Sequence, residues 1–252
     1  MMLATRIIPL ILHSHGLLVK GIQFQSWRTA GHALQAAKIH QMRGVDELLV
    51  LDVAATPENA HTDVELVKNI TEGCFMPITA GGGVRCVHDV RTLLRNGADK
   101  VAIGAAIHTE QEVIRDCAEV VGGQAIVAVI ETENGHVYVP NKDWTNIHPA
   151  DWAIYLQAEG AGEILLMSRD RDGTLEGYDI GTLKEVARAV TIPVVAAGGA
   201  GTYEHMHAAI EAGASAVAAG AMFMWTDQTP QRAAQYLRER GIEVRIPEAK
   251  CS

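Results

Sequence analysis

The stretch GADKVAIG at residues 97–104 returns as GASAVAAG at residues 213–220. Each copy is a glycine, a short β-branched and alanine-rich run, and a closing glycine. A buried parallel strand reads this way: apolar throughout instead of alternating, and bounded by turn residues. Two further pairs keep the same order along the chain. Leu48-Leu49-Val50-Leu51-Asp52 matches Ile164-Leu165-Leu166-Met167-Ser168, and Gly81-Gly82-Gly83-Val84-Arg85 matches Gly198-Gly199-Ala200-Gly201-Thr202. The offset stays near half the chain. Three collinear matches point to a fused pair of half-sized units, roughly 1–122 and 123–252, within one domain of residues 1–252.

Working outward, eight strand candidates emerge: Arg6–Leu12, Glu47–Val53, Met76–Ala80, Asp99–Gly104, Ala125–Glu131, Glu163–Ser168, Pro193–Ala197 and Ser215–Gly220. Charged, patterned segments lie between them, including Val87–Asn96, Gln111–Val121, Asp151–Glu159, Ile180–Ala189 and Pro230–Arg240. Several stop at glycine, at Gly97, Gly122, Gly160, Gly213 and Gly241. Eight strand–helix pairs in 252 residues predict a closed α/β barrel of the (β/α)8, or TIM, type. An open doubly wound sheet is the alternative reading of the same pattern.

Composition narrows the function. The net charge of −9 excludes a general binder of nucleic acid or anionic membrane but not a local anion site. No apolar run approaches the length of a membrane span. The cysteines Cys74, Cys86, Cys117 and Cys251 lack metal-ligand spacing and read as reduced cytoplasmic thiols. No His/Asp/Glu cluster has metal-ligand spacing and no nucleotide-cofactor fingerprint follows the first strand, so neither metal nor cofactor is expected.

In such barrels the active site lies at the C-terminal ends of the strands. Gly82 and Gly83 follow the third strand candidate and Gly104 ends the fourth. Gly199 and Gly201 follow the seventh and Gly220 ends the eighth. Glycine allows close backbone approach, so these loops suit phosphate binding; tight turns without a ligand are the simpler alternative. Two such sites imply one long phosphorylated substrate, or one with a phosphate at each end.

From Arg6-Ile7-Ile8-Pro9 through Val19-Lys20-Gly21, Gly44-Val45-Asp46-Glu47-Leu48, Gly160-Ala161-Gly162-Glu163-Ile164-Leu165-Leu166 and Asp170-Arg171-Asp172-Gly173-Thr174, the chain resembles the cyclase subunit of imidazole glycerol phosphate synthase nearly end to end. The resemblance implies a glutaminase partner whose ammonia enters through the barrel, and a doubly phosphorylated substrate at the mouth. It assigns an ammonia gate to Arg6, Glu47, Lys100 and Glu163, a partner contact to Asp99, and phosphate contact to Lys20 and the glycines above. A structural salt-bridge cluster is the other reading of the four charges.

At the catalytic positions the chain departs from that family. The family's two essential aspartates fall on Leu12 and Glu131. Leucine cannot move a proton, and glutamate carries one more methylene. Asp52, Ser168 and Asp172 remain at strand ends, with Asp172 the expected surviving catalytic contact beside Glu131. His13 and His15 are candidate stand-ins for the lost aspartate. Ala197 stands where the family often has serine, and Gly104 where it often has asparagine. The loop Gly21–Gly31, with Phe24, Trp27 and Arg28, corresponds to one that closes over substrate. Asn134–Ile147 reads as a hairpin-like insertion around Asn134-Gly135. With leucine at the first aspartate position, the chain is similar to amidotransferase subunits that form acetamidino groups on nucleotide-activated sugars. Three functions are therefore in play: that sugar chemistry, the standard histidine-pathway cyclase, and a silent phosphate-binding barrel that regulates a glutaminase.

Overall fold

A computed structural model of the chain describes residues 4–110, 112–140, 142 and 146–245. Its strands in chain order are β1 (Arg6–Ser14), β2 (Leu17–Ile22), β3 (Gln25–His32), β4 (Leu48–Asp52), β5 (Ile78–Gly81), β6 (Lys100–Ile103), β7 (Ile126–Glu133), β8 (His136–Val137), β9 (Glu163–Ser168), β10 (Val194–Ala197) and β11 (Ala216–Ala219). The helices are α1 (Ala33–Met42), α2 (Val64–Gly73), α3 (Val87–Arg95), α4 (Val113–Val121), α5 (Pro149–Ala158), α6 (Ile180–Ala189), α7 (Tyr203–Glu211), α8 (Ala221–Trp225) and α9 (Pro230–Glu239). The barrel strands run in the order β1, β4, β5, β6, β7, β9, β10, β11, all parallel. Parallel pairing of β11 with β1, Arg6 beside Ala216 through Pro9 beside Ala219, closes the ring. The closed barrel is therefore the architecture, and an open sheet is excluded.

Strand period sorts the residues into two buried layers. Ile8, Leu10 and Leu12 point inward with Leu49, Val127, Val129, Leu165 and Val195. Bulky Ile8 sits in register with Ala218, and Ala216 and Ala218 bring small side chains to the closing seam. The outward residues, such as Ile7, Val101, Ile103, Ile126 and Ile164, pack beneath the helices.

The internal repeat is stricter than the sequence comparison suggests. Leu48 corresponds to Ile164, Ile78 to Val194, Lys100 to Ala216, Val64 to Ile180 and Val87 to Tyr203, each 116 positions on. Even the caps repeat: Asp63 accepts from the Leu66 amide at 2.9 Å, and Asp179 from the Thr182 amide at 3.2 Å. The glycine alignment needs correction by one residue. Gly82 corresponds to Gly198 and Gly83 to Gly199, not Gly81 to Gly198. All four have positive φ, and a Cβ on Gly82 would lie 2.1 Å from the Asp52 carbonyl oxygen. A Cβ on Gly198 would lie 2.4 Å from the carbonyl of Ser168, the repeat partner of Asp52. Close packing against the neighbouring strand end thus requires these glycines, whatever they bind.

Gly21–Gly31 is not a plain loop. It forms most of an antiparallel hairpin, β2 against β3, which extends from β1. The predicted Asn134-Gly135 hairpin forms, with φ of 52° and 77° at its tip and Thr132 paired to Val137. Residues 141 and 143–145 of that insertion, residue 111 before α4, and Cys251 lie outside the described residues.

Gly82→Ala and Gly198→Ala are each expected to cost about 2 kcal/mol or more, because the left-handed backbone and the carbonyl clash act together. Urea unfolding of both variants checks this, and a loss below about 0.5 kcal/mol in either contradicts the packing account.

Candidate functional site

The two ends of the barrel carry different chemistry. At the N-terminal end, Arg6 of β1, Glu47 just before β4, Lys100 of β6 and Glu163 of β9 meet in a closed ring of alternating charge. Arg6 Nη1 donates to Glu47 Oε2 at 2.5 Å, and its Nη2 donates to Glu163 Oε1. Lys100 Nζ donates to Glu163 Oε2 at 2.7 Å and to Glu47 Oε1 at 3.3 Å. The Thr79 hydroxyl adds a 2.7 Å bond to Glu47. Both carboxylates are nearly fully buried, while Arg6 and Lys100 keep about a quarter of their side-chain surface in water. Burial pushes the Glu47 carboxyl up, but Arg6 and Lys100 together outweigh it and hold the group below its ordinary value of 4.5. For Arg6 burial opposes the charge, and Glu163 with Glu47 reverses the effect. Asp99, next to Lys100, is exposed on the same face, and its Oδ2 accepts from the Ile78 amide at 2.8 Å.

The opposite end opens into a cavity of about 420 Å³. Leu12, Asp52, Gly82, Gly104, Glu131 and Arg169 line it, under a rim that includes Phe24, Trp27, Tyr138 and His108. Leu12 is 1% exposed and presents hydrocarbon where the resemblance expects an acid. Glu131 does reach the cavity, but it is already engaged: Arg169 Nη1 donates to its Oε2 at 2.7 Å. Burial raises the Glu131 pKa above its ordinary value, and Arg169 counters only part of that shift. Arg169 Nε also contacts Glu133 at 3.5 Å. Its guanidinium carbon lies over two rings, 3.7 Å from the centroid of Tyr138 and 4.4 Å from that of Phe24. Sequence reading missed Arg169. The available signal was its position directly after β9, one residue before the Asp170–Thr174 motif.

Other expected residues lie elsewhere. Lys20 and Asp172 are buried together away from the cavity lining, with Lys20 Nζ 2.6 and 2.5 Å from the two carboxylate oxygens. This pair pins the β2–β3 hairpin to the turn after β9, and the Gln23 amide adds a 2.7 Å bond to the Asp172 carbonyl. Asp52 lines the cavity, but its Oδ1 caps the next turn through the Ala54 and Ala55 amides at 3.0 and 3.2 Å. Neither candidate histidine lines the cavity. His13 is fully buried outside the cavity, where burial lowers its pKa, and His15 is exposed beside Glu58 at 3.0 Å.

The glycines divide as well. Gly82, Gly83 and Gly104 line the cavity; Gly199, Gly201 and Gly220 do not. The second loop is packed beneath the turn after β9: a Cβ on Gly199 would meet the Gly177 carbonyl at 2.1 Å, and one on Gly201 the Leu175 carbonyl at 2.1 Å. The Gly201 amide already donates to His205 Nδ1 at 3.2 Å. Gly104 differs from these. Its φ is −117°, and a Cβ there would meet nothing closer than Val129 at 3.6 Å. Space does not demand glycine at 104, and the missing side chain leaves that part of the cavity lining open. Among the described residues no cluster of His, Cys, Asp or Glu is arranged to hold a metal ion, and no helix is long and apolar enough to cross a membrane.

Residues 6–229 match the family described as histidine biosynthesis protein. The chain belongs to this family. It is 40% identical to the imidazole glycerol phosphate synthase subunit HisF of Thermococcus onnurineus (strain NA1), over 97% of this chain and 99% of that one. The charged ring, the glycine turns and the altered mouth are therefore all features of one HisF-like barrel.

The ring makes a prediction about acid stability. Glu47 has a lowered folded pKa, so its contribution is complete above pH 4.5 and is lost as pH falls through the folded value. At pH 7, Glu47→Gln is expected to cost about 2 kcal/mol, less than for fully buried pairs because the cations are partly hydrated. Urea unfolding at a series of pH values should show that gap narrowing below pH 4.5. A gap that stays constant into acid contradicts the assignment.

Proposed function

We propose that this chain is the ammonia-using subunit of a glutamine amidotransferase, acting on a phosphorylated acceptor other than the histidine-pathway intermediate. One observation carries the departure: Leu12 lies in the floor of the mouth cavity, and the remaining carboxylate, Glu131, is held by Arg169. Proton transfer needs a group that can gain or lose a proton in reach of the substrate. Half of the expected pair is hydrocarbon, and the other half is a glutamate that shares one oxygen with Arg169.

The inlet supports the ammonia part of the reading. The ring of Arg6, Glu47, Lys100 and Glu163 sits at the end of the barrel opposite the cavity, beside exposed Asp99. Neutral ammonia passes an apolar barrel interior far more readily than ammonium, and Ile8, Leu49, Val127, Leu165 and Val195 supply such an interior. A HisF-type barrel relies on a glutaminase partner of the HisH type for that ammonia, and the partner docks at the ring end, on a face that includes Asp99.

The mouth supports a nucleotide-activated sugar as acceptor. Phe24, Trp27, Tyr138 and His108 offer flat faces, while Asp52 and Glu131 offer hydroxyl acceptors. Gly82, Gly83 and Gly104 leave backbone open to the phosphate part of the same molecule. In this reading Glu131 acts on the acceptor, and Lys20 with Asp172 fixes the hairpin over it.

The standard cyclase reaction is the second reading, favoured by the 40% identity that spans both chains. The deciding assay combines the chain with its glutaminase and follows glutamine hydrolysis and product formation. Candidate nucleotide sugars and the histidine-pathway intermediate are supplied in separate reactions. Turnover is expected with a nucleotide sugar. Turnover confined to the histidine-pathway intermediate sinks the proposal.

A further inference from the structure

Arg169 is the one cation lining the mouth cavity among the described residues, since the adjacent His108 has its pKa pushed down to about 4 and is neutral at pH 7. Its surroundings decide what it can bind. The rings of Phe24 and Tyr138 both lie against its guanidinium carbon, with centroids 4.4 and 3.7 Å away, so approach from those sides is taken up by aromatic surface. Glu131 uses Nη1 and Glu133 approaches Nε. Nη2 donates to no described residue, and Oε1 of Glu131 accepts from none.

Charge excludes one class of ligand at Nη2. Two carboxylates already face one guanidinium, and Asp52 adds a third negative group to the lining. A phosphate placed there meets a net negative cluster. An uncharged oxygen meets a strongly polarised N–H and no net repulsion.

We propose that Arg169 holds and polarises a neutral carbonyl oxygen of the acceptor through Nη2, while Glu131 beside it takes the proton of the ammonia that adds to that carbon. The nitrogen lone pair forms the C–N bond, and the carbonyl π pair moves onto oxygen, which accepts from Arg169. The new ammonium centre gives a proton to Glu131, which returns it to the oxygen and leaves a neutral carbinolamine. No oxidant or reductant is needed. The ion pair thereby supplies an acid–base function that Leu12 cannot. The proton-transfer step rests on the ammonia-using reading above; the carbonyl subsite does not.

Calorimetric titration of the full chain with UDP-N-acetylglucosamine and UDP-glucose tests the subsite, because these probes differ in the acetamido group. Wild type is expected to bind the acetylated probe about tenfold tighter or better, the scale of one hydrogen bond to a charged donor. Arg169→Met should erase that preference, so that the variant binds the two probes within about twofold of each other. Should Arg169→Met fail to fold by its thermal melt, Arg169→Lys gives the reading: it keeps the charge but lacks the planar edge, and should lose most of the preference. Equal binding of the two probes by wild type, or a preference that survives these substitutions, overturns the subsite. An Arg169-dependent preference without any glutamine-derived product overturns the ammonia reading alone. Glutamine-dependent turnover with a preference indifferent to Arg169 overturns this inference alone.

Discussion

Pairing of the last strand with the first, Arg6 beside Ala216 through Pro9 beside Ala219, turns a parallel sheet into a tube with two unlike ends. Every other feature depends on that closure. It brings Arg6, Glu47, Lys100 and Glu163, drawn from 158 positions of sequence, into contact at one end. It also gathers Leu12, Asp52, Gly104, Glu131 and Arg169 at the other. The alternating inward and outward layers leave the interior apolar between them.

The two ends differ in how far they have moved from the HisF pattern. The ring is self-consistent: each carboxylate touches both cations, which is the arrangement that makes burial of four charges tolerable. At the mouth, Leu12 stands where the resemblance expects an acid, and Arg169 brings a cation that Glu131 holds beside the rings of Phe24 and Tyr138. These residues come from β1, the β2–β3 hairpin, β7, the position after β8 and the turn after β9, so the mouth is built from several segments and not from one loop.

Much of this was legible in the sequence, for identifiable reasons. Strands buried on both faces read as short apolar runs, and all eight barrel strands fall within the predicted segments or extend them by one or two residues. The four ring charges were assigned through the family resemblance, and each stands at the start of an apolar strand. What escaped was whatever depends on contact between distant segments. The glycine repeat was offset by one because three consecutive glycines at Gly81–Gly83 align equally well in two registers; the constant 116-residue spacing of the elements and the carbonyls of Asp52 and Ser168 distinguish them. Lys20 and Asp172 read as substrate contacts, while the fold joins them to each other. Arg169 went unread because its partners Glu131, Tyr138 and Phe24 are far off in sequence, and no local pattern links a guanidinium to the rings it lies against.

The central claim is that the barrel and its inlet are those of a HisF-like subunit, whereas the mouth serves another acceptor. Complementation of a histidine auxotroph that lacks its own HisF, with the matching glutaminase co-expressed, tests this most directly. The account predicts no growth without histidine even when the protein accumulates in soluble form. Growth at the rate given by a standard HisF contradicts it.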